Sequence, residues 1–438
     1  MAPNPDIMRA IAQLDYRVTA GDVAAKTGME LQTAEQGLLA LASDVGGHMQ
    51  VSDQGELAYV FPRGMQGILQ SKYFRLRLQE WWNKTWQVLF YIIRISFGIV
   101  LIASIVLILL TLVAIFIAIN SQSRDGDRGG GFGGRSGGGP IFMPTFWVGP
   151  NWYYVFMPPT QRRYQRQAQT RFGEEPKMSF LESIFSFLFG DGNPNMDLDE
   201  RRWQTIATVI RNNGGTVVAE QVAPYLDNLG GTTSQDLEDY MLPVLTRFNG
   251  RPEVSPEGQL IYRFPELQVM AREHSPRNVP AYLKELPWKF SEASSGQIMA
   301  AIGLGAANFV GALALGSFLQ NAAIAELGGL IGFTSGIFGF LLAYAIAFLG
   351  VPLARYFWVQ WRNQKVEARN EQRQERAVAL NQADDELQQK LTFASQFASR
   401  TLVSDRDLAY TTERDLTEQE IEQKDKIDEE WQRRLEGY

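Results

Sequence analysis

Catalysis and metal binding need poised acids, bases, nucleophiles or soft ligands, and this sequence holds few. Its only histidines are His48 and His274, and it has no cysteine. That excludes disulfides, cysteine-ligated zinc and thiolate-held iron-sulfur clusters. The adjacent carboxylates Glu174 with Glu175 and Asp384 with Asp385 diverge from each other and read as solvated charge. Asp191, Asn193 and Asn195 have the spacing of a calcium loop, but Met196 stands where that loop needs glycine and Arg202 where it needs a bidentate glutamate. Residues 126–139 contain nine glycines. No Gly-Lys-Ser/Thr follows them and no strand precedes them, so they read as a flexible tether and not as a phosphate loop. The expectation is a chain that is not an enzyme and uses no cofactor and no metal.

The elements that would carry any function are organised around a membrane. From Ile95 to Ile119 the chain has neither charge nor proline, a run long enough to cross a ~30 Å hydrocarbon core. Trp81, Trp82 and Trp86 stand before it as interfacial anchors. Residues 298–319 and 327–351 repeat the signal, giving three transmembrane helices. In the last two, Ala301, Gly305, Ala312 and Gly316, and then Gly328, Gly332, Gly336 and Gly339, recur at spacings that place small residues on one face, a pattern for close helix packing. Residues 320–326 are too few to hold a domain, so these two spans form a hairpin. No cleavable signal peptide is read in residues 1–60, so the first span is expected to serve as its own insertion signal.

The 438 residues average 45% hydrophobic content against a mean hydropathy of -0.16, so apolar spans alternate with polar modules. Residues 1–66 read as one module. Ile7, Ala10, Ile11 and Leu14 mark a first helix, Thr19 with Asp22 caps a second that Gly28 ends, and Ala34, Leu38 and Leu41 line a third. Two alternating strands around Asp53-Gln54-Gly55 follow, and three helices with such a hairpin describe a winged helix. The order returns in residues 197–270 through Trp203, Ile206, Ala207 and Ile210, then Val218 and Val222, then Leu237, Met241 and Val244. The hairpins match: VSDQGELAYVFP from Val51 and VSPEGQLIYRFP from Val254 are identical at seven of twelve positions. A duplicated module is the reading. The fold class expected is therefore a mainly α membrane protein with two winged-helix-like α+β modules, three transmembrane helices and long charged C-terminal helices.

The connecting parts are a membrane-proximal helix at 67–94, the Gly-rich, aromatic and basic segment 120–177, and a Phe-rich helix at 178–190. Arg162, Arg163 and Arg166 in the second of these suit anionic headgroups. Ser179 and Glu182 form a capping box for the Phe-rich helix, which is too short to span and is expected to lie in the interface or to re-enter. Residues 353–438 read as a charged helical tail, either partner-binding or solvated, with a final helix starting at a capping box from Thr417 to Glu420. Positive residues flank both the first span (Lys72, Arg75, Arg77, Lys84) and the outer ends of the hairpin (Lys284, Lys289, Arg355, Arg362, Lys365). Three crossings cannot leave both flanks inside, so either the Phe-rich helix or the aromatic segment returns the chain through the membrane, or one bias is overridden.

A net charge of -7 gives no basic surplus for nucleic acid. The third helix of the first module begins Glu30-Leu31-Gln32-Thr33-Ala34-Glu35-Gln36, and its counterpart reads Ser234-Gln235-Asp236-Leu237-Glu238-Asp239, neither with Lys or Arg. Residues 1–62 hold three Lys/Arg against eight Asp/Glu, which argues against DNA and for protein partners, with membrane lipids around the spans. Oligomeric state is not readable.

The paired wings GELAYVFP and GQLIYRFP, the turn FSFLFGDGNPN, the Gly/Ala-rich hairpin and the tail YTTERDLTEQE together resemble a cyanobacterial and plastid family of membrane proteins whose plant members carry an iron-sulfur cluster biosynthesis label. The resemblance implies a thylakoid or plasma membrane of a phototroph, and assembly or maintenance of photosynthetic complexes. The expected function is a non-enzymatic integral membrane scaffold or assembly factor; the alternative is a membrane-tethered winged-helix DNA-binding regulator.

Overall fold

The computed structural model describes residues 4–72, 74–122, 178–227, 229–230, 238–273, 275–325, 327–404, 408–419, 421, 424, 431–432 and 435. The protein is mainly helical, with small sheets, and divides into two units, one of residues 1–83, 194–287 and 364–438 and the other of 84–193 and 288–363.

In the first unit, Asn4 caps helix α1 (Pro5–Gln13) by accepting from the Asp6 amide. Strand β1 (Arg17–Val18) leads into α2 (Ala20–Thr27), where Thr19 and Asp22 cap reciprocally, as their spacing predicts. Gly28 ends α2 at φ +72, a left-handed turn that a side chain would strain. Helix α3 (Leu31–Val45) buries Ala34, Leu38 and Leu41, and then β2 (His48–Ser52) and β3 (Leu57–Val60) form the hairpin.

The second copy repeats this locally. Helix Leu198–Asn212 buries Trp203, Ile206, Ala207 and Ile210. Strand β4 (Thr216–Val217) precedes the one-turn helix Ala219–Val222, and β5 (Arg251–Val254) with β6 (Leu260–Arg263) makes the hairpin. The strand orders are β1-β3-β2 and β4-β6-β5. Registers agree too: Val18 faces Tyr59 as Val217 faces Tyr262, and Val51 faces Leu57 as Val254 faces Leu260. At each hairpin tip the serine hydroxyl accepts an amide, Glu56 N at 3.1 Å on Ser52 and Gln259 N at 3.1 Å on Ser255, while Gly55 and Gly258 sit at φ +83 and +90. Seven shared letters thus encode one turn geometry twice.

The copies differ in their third helices. Leu237 lies outside the described residues, and the described part of this region in the second copy is a 3-10 turn Asp239–Met241 followed by helix Leu242–Phe248. Pro243 explains this, because proline fits the first turn of a helix but not its interior.

Nor are the modules separate bodies. Buried side chains from both, among them Ile11, Val23 and Leu38 with Ile206, Val244 and Phe264, form one core. Gly21 permits the approach, since a Cβ there would stand 2.1 Å from the Glu266 carbonyl oxygen.

The tail belongs to this unit as well. Residues read as partner-binding or solvated instead fold back: β8 (Thr401–Leu402) pairs in parallel with β7 (Val269–Met270), β9 (Leu408–Thr411) pairs antiparallel with β2, and helix Asp385–Gln396 covers Val218 and Ile261 of the second module. Its final helix is capped two residues earlier than the Thr417 box. Asp415 accepts from the Thr417 amide and hydroxyl, while Gln419 turns back to bond both backbone groups of Thr411.

In the second unit, three helices are long and apolar enough to cross a membrane: Lys84–Ser121, Ser295–Leu319 and the apolar part of Leu330–Asn381. The first belongs to one unbroken helix, Phe74–Gln122, so no boundary separates the 67–94 segment from the 95–119 span. Trp81, Trp82 and Trp86 lie on it, exposed. The third helix runs past 351 to Asn381 through Pro352, joining span and tail. Polar pairs stitch the bundle: Ser104 Oγ donates to Asn308 Oδ1 at 2.8 Å, and the Thr111 and Thr334 hydroxyls meet at 2.9 Å.

Of the small residues expected to make the packing, those of the second span do so. A Cβ at Gly305 would stand 2.5 Å from Phe348 and one at Gly316 2.6 Å from Phe338, while Ala301 and Ala312 are fully buried. Those of the third span do not: nothing lies within 4 Å of the Cβ direction at Gly328, Gly336 or Gly339, and Gly332 meets only the Leu327 carbonyl oxygen. The contact is one-sided. Phenylalanines of the third helix enter the gaps left by glycines of the second, which turns the third helix's own glycines away.

The Phe-rich helix Phe180–Phe189 starts at the Ser179–Glu182 box and buries Ile184, Phe187 and Leu188 against Leu101, Ala301 and Phe348. It is a short helix packed on three long ones, a position its length alone did not give. The first and second apolar spans begin, and the apolar part of the third ends, around this cluster. The tether, the aromatic segment and Arg162, Arg163 and Arg166 lie outside the described residues.

Candidate protein-interaction surfaces

Two surfaces of the first unit are candidates for contact with other molecules: the third helix of the first module and the outer edges of the two hairpins. On α3, burial of Leu31, Ala34, Leu38 and Leu41 turns Gln32, Thr33, Glu35, Gln36 and Leu39 outward, and Leu39 is 53% exposed. That face offers amides, one carboxylate and one apolar side chain, and no cation.

The wing edges differ. On β2, Gln50 faces Thr411 and Val51 faces Tyr410, while the Met49 amide donates to the Thr412 hydroxyl at 2.8 Å and the Thr412 amide to the Met49 carbonyl at 3.0 Å. On β5 no described strand pairs with the outer edge. The position matching Met49, opposite Tyr262 as Met49 is opposite Tyr59, is Pro252, which has no amide to give.

Behind these surfaces lie two ionic clusters that rigidify the second module. Arg373, 1% exposed, donates to Glu285 at 2.7 Å, to the Leu283 carbonyl at 2.8 Å and to Asp227. Arg369 makes a two-pronged contact with Glu285 at 2.7 and 2.6 Å, and the Asn370 amide clasps the Glu285 backbone at both its N–H and its carbonyl. Burial works against charge on Glu285, but Arg369 and Arg373 override it and hold its carboxyl below the usual range. In the second cluster Lys390 bridges Glu220 at 2.9 Å and Glu238, which also accepts from the Tyr262 hydroxyl at 2.7 Å. Burial and then Glu238 push the Tyr262 phenol upward. Burial disfavours the Lys390 charge, and the two glutamates more than restore it, raising its pKa.

Sequence reasoning assigned none of these ionic residues. The signal was present, however: Val366, Arg373 and Ala377 are buried at helical spacing along a polar helix whose apolar positions are too sparse for a heptad seam.

The residues singled out for chemistry are brought to no common place. His48 lies in β2, and His274 is outside the described residues. Asp191 accepts from Arg94, from the Ser186 hydroxyl and from the Glu292 amide at 2.9 Å, so its oxygens serve protein donors. Asn195 clasps the Leu286 backbone at 2.7 and 2.8 Å. Among the described residues no group of three or more His, Cys, Asp or Glu side chains is placed to hold a metal.

Comparison with known proteins gives one informative relative. An uncharacterized chloroplastic protein of Arabidopsis thaliana is 35% identical over 443 aligned positions, covering 98% of this chain and 81% of the relative. No protein-family profile matches, and no solved structure does.

Proposed function

Since the chain belongs to the same family as that chloroplastic plant protein, we propose that it is a non-enzymatic membrane scaffold or assembly factor, and that its two repeated modules are winged helices presented to protein partners at a thylakoid or plasma membrane. Assembly or maintenance of photosynthetic complexes is the process that fits such a setting. The observation that carries the reading is the outward face of α3. A helix that reads DNA offers Arg, Lys, Asn or Gln to bases and further cations to phosphates. Here Gln32, Thr33, Glu35, Gln36 and Leu39 form the face, and the acid beside an exposed leucine suits a protein surface better than a polyanion.

The test is purification of the full chain from mildly solubilised membranes of its native host, beside the variant Leu39→Arg with Glu35→Arg. The reading expects a stoichiometric partner with the native chain that the variant loses. Recovery of no partner under several mild detergents, or a shift of duplex DNA by the native chain at low salt, would overturn it.

A further inference from the structure

Where the two modules meet, the helix ends of α2 and Leu198–Asn212 and the segment after Met270 enclose two adjoining cavities that share Lys26, Thr208 and Arg277 on their walls. The outer one, about 410 Å³, carries Asp6 and Glu200, of which Asp6 is paired with Arg9. The inner one, about 50 Å³, is different in charge: Lys26, Arg211, Arg277 and Arg400 surround a single carboxylate, Asp22.

That carboxylate is already spent. Asp22, 2% exposed, accepts from the Thr19 amide at 3.0 Å, the Ala271 amide at 3.0 Å and Arg211 at 2.7 Å. Arg211 is therefore neutralised, and Lys26, Arg277 and Arg400 are left without a carboxylate partner among the described residues. Two of them are held in place by one residue. The Asn212 side chain clasps the Arg277 backbone, donating to its carbonyl at 2.8 Å and accepting its amide at 3.2 Å, and Arg400 donates to the Asn212 carbonyl at 3.1 Å.

Lys26, Arg277 and the exposed Arg400 line one small concavity, where Arg277 is exposed too, and like charges gathered on one wall favour an anion among them. By a water's need of about 10–15 Å³ the inner cavity has room for a compact group and not for a nucleotide base or a sugar ring. We infer that it is a binding site for a compact phosphate-type oxyanion, free or as the end of a larger phosphomonoester, with Lys26, Arg277 and Arg400 as its ligands. Arg guanidinium forks match tetrahedral oxyanions in two-pronged contacts, and the Lys26 ammonium supplies a point charge. The inference stands apart from the scaffold reading, since neither needs the other.

The full chain in detergent micelles is titrated with inorganic phosphate by calorimetry, with ionic strength held constant by chloride. A saturable process with about one phosphate per chain is expected. Lys26→Gln with Arg277→Gln, both at the surface of the fold, should weaken it at least tenfold, while Arg9→Gln on the outer cavity should leave it unchanged. Near-UV circular dichroism checks that the double variant keeps its packing. In a second arm, micelles doped with phosphatidic acid or with phosphatidylcholine are compared by thermal unfolding. Protection by the phosphomonoester lipid alone, lost in the double variant, assigns the ligand to a headgroup, and protection by free phosphate assigns it to a soluble species. Binding of neither, or equal binding by the double variant, overturns the proposal.

Discussion

The two hairpins β2–β3 and β5–β6 share a turn, a register and most of their letters, yet their outer edges meet opposite fates. In the first module β2 is extended by the chain's own β9, so its open amides and carbonyls are used in cis. In the second, Pro252 removes an amide from β5 at the position where the first hairpin has Met49, and no described strand joins it. An unpaired edge invites association, and it is blunted either by covering it or by proline. The duplicated module uses one device in each copy. The support beneath the sheets differs likewise. Ala58 of β3 packs against Val269 and Val403, whereas its counterpart Ile261 of β6 lies under helix Asp385–Gln396 with Phe393 and Phe397 packed nearby. One tail serves both modules, first as helix and then as strand.

The largest effect should come from the helical support. Arg373→Met leaves Glu285 buried with one partner fewer and should cost about 3 kcal/mol, read as a lower unfolding midpoint of the solubilised chain. The same cluster sets an acid limit. Because the folded carboxyl of Glu285 titrates below its unfolded value, its contribution is present above the ordinary carboxylate range and fades as pH falls through the lowered value. The native chain should lose stability on acidification more steeply than Arg373→Met does, and parallel pH profiles would show that the two groups are not coupled.

Next in size is Gly21→Ala, which drives a methyl into the Glu266 carbonyl and should cost about 2 kcal/mol by forcing the shared core apart. The same substitution at Gly67, where a Cβ meets nothing within 4 Å, should change stability little. Loosening of one module while the other stays intact, seen by hydrogen exchange, would argue that the core is not shared.

Smaller and more local is Tyr410→Pro. It removes an amide from β9 and should cost about 1 kcal/mol, with faster amide exchange in residues 48–52 and no change in residues 251–254. Smallest in stability is Pro252→Thr, which returns an amide to β5. Its stability should stay within about 0.5 kcal/mol of native, while light scattering of the purified chain detects self-association through the newly competent edge. Unchanged exchange in the first variant, or a monodisperse second variant, would break the account of how the two edges are managed.

Much of this was written in the letters. The three spans follow from length and hydropathy, and the caps at Thr19 and Ser179 follow from residue types three apart. The repeated hairpin turn follows from a serine and a glycine at fixed spacing, and the absence of thiols bounds the chemistry. Each of these depends on neighbours in sequence, whose geometry the backbone fixes locally. Tertiary structure decided the rest. It made Asp415, not Thr417, the start of the last helix, because Gln419 is held by Thr411 across a turn. It left the glycines of the third span unused, because packing is set by which partner offers the bulky side chain and small residues alone specify no direction. It also turned charges of a tail that reads as either partner-binding or solvated into the buried ties of Arg373 and Lys390, whose partners come from segments about 90 to 170 residues away. Whether a charged helix faces water or an opposite charge depends on what the fold brings to it, and that is a property of distant chain segments meeting in space.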